Sequence, residues 1–129
     1  MSPNNEVLRY KIAFDPRPDM LCVRVEGIKD SYEISIAYWR EIASQCARLG
    51  VSRLLMDEDI PEAVSFSDMY RIASELPEIF RDIAIAFVDK HAEQSELNEF
   101  GELVAQNRGV YGRFFTDTAA AEEWLRKQN

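Results

Sequence analysis

The stretch Leu54-Leu55-Met56-Asp57-Glu58-Asp59-Ile60-Pro61-Glu62-Ala63-Val64-Ser65-Phe66-Ser67-Asp68-Met69 decides the fold, because an apolar run passes through acidic residues into a loop and then a helix start. Short apolar segments alternate with amphipathic ones on either side of it, which is the pattern of an α/β sheet with its sites at the strand ends. Just upstream, residues 51–56 read as a buried strand. Before them, over 31–49, Ile36, Trp39, Ile42, Ala43, Cys46 and Leu49 recur at helical spacing, and Gly50 stands where a left-handed cap is cheapest. Downstream, a helix from about Ser67 packs through Met69, Ile72, Ala73 and Leu76, and Pro77 is expected to end or kink it, since its ring removes an amide donor.

The flanks complete the pattern. Residues 7–14 and 20–26 alternate apolar and polar side chains, so two half-buried strands form a hairpin across Asp15-Pro16-Arg17-Pro18-Asp19. Residues 83–88 set large Ile83, Ile85 and Phe87 against small Ala84, Ala86 and Val88, a central strand covered on both sides or covered unevenly. A helix over 92–107, closed by Arg108-Gly109, leads to a strand over 110–115. A last helix from about Thr118 docks Ala121, Trp124 and Leu125. The reading is an α/β chain with a mixed, mostly parallel sheet, an N-terminal β-hairpin and four helices in the order β-β-α-β-α-β-α-β-α. Residues 1–129 make one domain, with no repeat or linker in the sequence.

A net charge of −8 over 129 residues disfavours nucleic acid and anionic membranes as partners, because both reward a clustered positive face. No stretch approaches the roughly 20 apolar residues that span a bilayer. Residues 1–6 are polar and lack the basic start and apolar core of a secretory signal, so a cytoplasmic location without membrane insertion is expected. Cys22 and Cys46 have no CxxC spacing and no nearby histidine, so they read as buried free thiols, with no metal site and no cofactor implied.

The topology, the terminal Phe114-Phe115-Thr116-Asp117 strand end and the Glu122-Glu123-Trp124-Leu125 ending together resemble the SpoIIAA-like group of STAS and STAS/SEC14-type domains. The resemblance covers nearly the whole chain. It implies a SpoIIAA-like fold with helices largely on one side of the sheet, working by binding and without chemistry of its own. In the anti-sigma-factor antagonists of that family a serine at the start of the helix after the third strand is phosphorylated. Ser67 is the nearest equivalent here, flanked by Phe66 and Asp68 where the family motif has a small residue and glycine. The plainer role for Ser67 is a helix N-cap.

The resulting expectation is a protein-binding or regulatory module whose surface comprises Asp57, Glu58, Asp59, Glu62, Ser65, Phe66, Ser67 and Asp68. A second reading is a small carrier, with Tyr38, Trp39, Phe66 and Tyr70 lining a pocket for an apolar or acyl ligand, as in lipid-carrying relatives. A third is a metal-dependent phosphohydrolase, because Asp57, Glu58, Asp59, Asp89 and Asp117 all fall at predicted strand ends. Helix capping and loop solvation are the plainer roles for these acids. His91 is the only histidine, so no His-based metal cluster or Ser–His–Asp relay is expected within one chain, and a solvated loop position is expected for it. Helices gathered on one side leave the other sheet face short of cover, which makes a homodimer a further expectation.

Overall fold

The computed structural model describes residues 9–128. Val7 and Leu8, where the first strand is expected to begin, lie outside that range, as do residues 1–6. Five strands, β1 (Tyr10–Pro16), β2 (Leu21–Gly27), β3 (Arg53–Asp59), β4 (Ala84–Asp89) and β5 (Tyr111–Phe115), form one sheet in sequential order. β1 and β2 pair antiparallel and every later pair is parallel. Helices α1 (Tyr32–Leu49), α2 (Phe66–Ile79), α3 (Ser95–Asn107) and α4 (Thr118–Arg126) complete the expected β-β-α-β-α-β-α-β-α order. No helix among the described residues is long and apolar enough to cross a membrane.

Side chains alternate across the sheet, and each face has its own core. Val23, Val25, Leu54, Met56 and Ile85 point to one face, where they pack with Tyr38, Trp39 and Ile42 of α1 and Ile72 of α2. Helix α3 joins this layer through Val104 and Ala105, which meet Ala73 of α2. Cys22, Leu55, Ala84, Ala86 and Val88 point to the other face, where they are buried with Ala121 and Leu125 of α4, both at zero exposure. The small side chains of β4 let α4 sit close. Beyond α4, the second face over β1 and β2 carries exposed Lys11, Ala13, Arg24 and Glu26. The half beneath α4 is covered except at Tyr111, which is 56% exposed, and the half over β1 and β2 carries mostly charge, so this face is less bare than expected.

Several boundaries differ from expectation. Strand β3 does not stop at Met56 but runs on through Asp57, Glu58 and Asp59, held by the ladder to β2 on one side and β4 on the other. Helix α2 starts at Phe66, and its cap is Ser65, not Ser67: Asp68 N–H donates to Ser65 Oγ at 3.1 Å. Pro77 is accommodated within the last turn of α2, which ends at Ile79. So near a helix end it costs a single hydrogen bond. A short 3-10 turn, Ala92–Gln94, precedes α3. Gly50 closes α1 with φ 67° and Gly109 follows α3 with φ 91°, as a glycine at each place suggests.

Candidate functional site

The expected binding surface divides across the sheet. Asp57 and Asp59 lie on the second face, where Arg24 spans them: its guanidinium reaches Asp57 Oδ2 at 2.9 Å, Asp59 Oδ2 at 3.0 Å and Glu26 Oε2 at 3.1 Å. His91 Nε2 lies 2.8 Å from Asp59 Oδ1, and that bond holds the imidazolium proton more tightly than usual. Asp117 caps α4 through Ala120 N–H, the plainer of its two expected roles. Glu62, Ser65, Phe66 and Ser67 are exposed and Asp68 half-buried at the turn into α2. Phe66, Tyr70 and Leu103 of α3 are 53%, 46% and 57% exposed, and the Phe66 ring packs on Phe100 with centroids 5.4 Å apart.

Glu58 points the other way, into the core, and here the acids neither cap nor solvate. The segment after β2 is tied to the segment after β3: Asp30 N–H donates to Glu62 O at 2.8 Å and Glu62 N–H to Ile28 O at 3.3 Å. This clamp places Asp30 beside Glu58, with Tyr38 of α1 between them. Tyr38 Oη lies 2.6 Å from Glu58 Oε1 and 2.8 Å from Asp30 Oδ2. Asp30 Oδ1 already accepts from Ser31 N–H at 2.8 Å and Ser35 Oγ–H at 2.7 Å. A phenol has one proton, so two anionic carboxylates cannot both be satisfied by Tyr38. The arrangement requires a second proton, and Glu58 is its place: Glu58 donates to Tyr38, and Tyr38 donates to the Asp30 carboxylate.

The electrostatics agree. Loss of water, and then the charge of Asp30, push the Glu58 carboxyl up to about 8. Burial likewise raises Asp30, and it raises Asp89, which pairs with Glu58 across the sheet. Asp89 accepts from Asn98 Nδ2 at 2.9 Å and from His91 N–H at 2.9 Å. Tyr38 is held well above the ordinary phenol range by burial and by both acids. Gln94 donates through Nε2 to Ile60 O at 3.1 Å and Pro61 O at 2.7 Å, which anchors the loop end of β3 to the start of α3.

Asp30, Ser35, Tyr38, Glu58, Gln94 and Asn98 border a cavity of about 90 Å³ between the sheet and α1–α3. Its walls include Trp39, Ile72, Leu76, Phe87 and Leu97, so one end is apolar and the other carries the acids. Of the four expected pocket residues, Tyr38 and Trp39 line this cavity, whereas Phe66 and Tyr70 face outward on α2. Asp30, Ser35, Gln94 and Asn98 were not expected in a site. The signal for them is faint but physical: Ser35 and Tyr38 lie one helical turn apart on the core side of α1, and Asn98 interrupts the buried stripe of α3. Chemically the cluster can hold a proton at neutral pH and pass it between Glu58 and Asp30 through Tyr38. Ser35 Oγ is engaged with Asp30, and His91 bonds Asp59 on the opposite face, so these two do not form a Ser–His relay. The chain matches no protein-family model and no curated protein.

Proposed function

We propose that the chain is a non-enzymatic binding or regulatory module of the SpoIIAA-like STAS type, which docks a protein partner through the loop 60–65 and the first turns of α2. The observation that carries this reading is the pair of exposed aromatics Phe66 and Tyr70, one helical turn apart, with exposed Leu103 on the neighbouring helix. Solvated aromatic rings of this size gain most when buried by a partner. Glu62 and Asp68 stand beside them, and Glu96 and Glu99 are exposed on α3, so the fitting partner offers an apolar pocket with a basic rim. The resemblance to that family implies regulatory contacts at the same turn.

Affinity capture from the source cell tests the reading, with the wild-type chain, Phe66→Glu and the double change Glu62→Lys with Asp68→Lys as baits. A partner that the wild type retains should be lost with Phe66→Glu and weakened by the charge reversal, the latter more at low than at high salt. Capture that ignores all three changes contradicts the reading. The carrier reading draws support from the cavity, but about 90 Å³ is less than the roughly 150 Å³ of an engineered pocket that binds benzene, which leaves no length for an acyl chain. The hydrolase reading has less behind it: among the described residues no three His, Cys, Asp or Glu side chains stand together as a metal site.

A further inference from the structure

We propose that the cavity beneath Trp39 is a binding site for a compact alkylamine, a short apolar body ending in a protonated amino group. The cavity is large enough for a molecule of a few heavy atoms and too small for a lipid. Three oxygens on its polar wall accept nothing from the protein: among the described residues no donor reaches Asn98 Oδ1, Gln94 Oε1 or Glu58 Oε2. Their residues are only 5%, 5% and 8% exposed, so bulk water does not serve them freely. Both amides have a fixed orientation, because each Nε2 or Nδ2 is spent on a carbonyl or carboxylate, so it is the oxygen that is left over.

Glu58, Gln94 and Asn98 line the same cavity. Gln94 and Asn98 are one turn apart, Asn98 is bonded to Asp89, and Asp89 is the cross-strand partner of Glu58. Three acceptors on the lining of one cavity suit the three N–H donors of an ammonium group. The charge of the wall has the same sign. Asp30 and Glu102 line it, with the protonated Glu58 offering a carbonyl oxygen, while the basic wall residue, Arg113, stacks its guanidinium over Phe115 on the opposite face, 5.4 Å from the ring centre. Trp39, Ile72 and Leu97 then receive the apolar body. The site is separate from the surface of α2, so either can fail while the other stands.

Titration of the full chain with n-propylammonium, followed by ¹H–¹⁵N NMR, tests the assignment, with n-propanol as a control of equal size. Saturable shifts at the amides of Trp39, Gln94, Asn98 and Gly101 are expected. The alcohol should bind at least about tenfold more weakly, since it has one donor and no charge. Val64→Phe, which fills the cavity from the loop side, should abolish the response, and Gln94→Met should weaken it. Absence of saturable shifts in the wild type, or equal affinity for the alcohol, overturns the proposal.

Discussion

Glu58 loses its water on folding and gains Asp30 as a near neighbour, and both effects disfavour its anion. In the unfolded chain it ionises near 4.5, and in the folded chain near 8. Between those values the folded state keeps a proton that the unfolded state has lost. Stability from this group is therefore complete below about pH 4.5, declines as the pH rises, and levels off above about pH 8. At about 1.36 kcal/mol per unit the whole change has an upper bound of roughly 5 kcal/mol. Glu58→Gln keeps a donor toward Tyr38 but cannot ionise. Urea unfolding at pH 5.5 and pH 8.5 should show a marked loss of stability in the wild type and a much smaller one in the variant; equal slopes would contradict a proton on Glu58. Ser65 and Ser67 make a second contrast at this scale. Ser65→Ala removes the cap of α2 and should cost about 1 kcal/mol. Ser67→Ala, in the exposed first turn, should stay within about 0.5 kcal/mol.

Helix α4 is the element that makes the sheet two-sided. Leu125 and Ala121 are fully buried on Ala84, Ala86 and Val88, and Leu125→Ala should cost roughly 2–4 kcal/mol by leaving a cavity there. A drop below about 1 kcal/mol in urea unfolding would mean that α4 is not a structural cover. The alternation of large and small residues along β4 showed that its two faces meet different neighbours, but α4 as the cover of the second face was not legible, since the helices were expected largely on one side. Nor was β3. Three consecutive acids read as a polar strand end, yet they continue the strand, since β2 and β4 flank it on both sides and tertiary pairing overrides weak intrinsic β preference. The same continuation separates them: Asp57 and Asp59 pair with Arg24 on one face while Glu58 enters the core on the other. A period of two was present, but a charged run hides it. Asp30, Ser35 and Asn98 escaped notice for a related reason, because each becomes a site residue through a partner distant in sequence.

At the scale of the molecule, the charge of −8 and the layout of apolar surface bear on what the chain meets. The second sheet face is largely closed by α4 or covered with charge, with Tyr111 exposed at its edge, whereas Phe66, Tyr70 and Leu103 remain in water together on the side of α2 and α3. A partner that buries them must also neutralise nearby acids, so its association should slow as ionic strength rises. The cluster around Glu58 lies behind the same layer of helices, with Met69 of α2 against Gly101 of α3, where an added Cβ would come within 2.6 Å of the sulfur. The most direct measurement places a photo-crosslinking phenylalanine analogue at Tyr70 and, as a control, at exposed Ser44 of α1, in the full chain in its source cell. The account predicts a discrete crosslinked product at Tyr70 and none at Ser44. No product at Tyr70, or the same products from both positions, would contradict it.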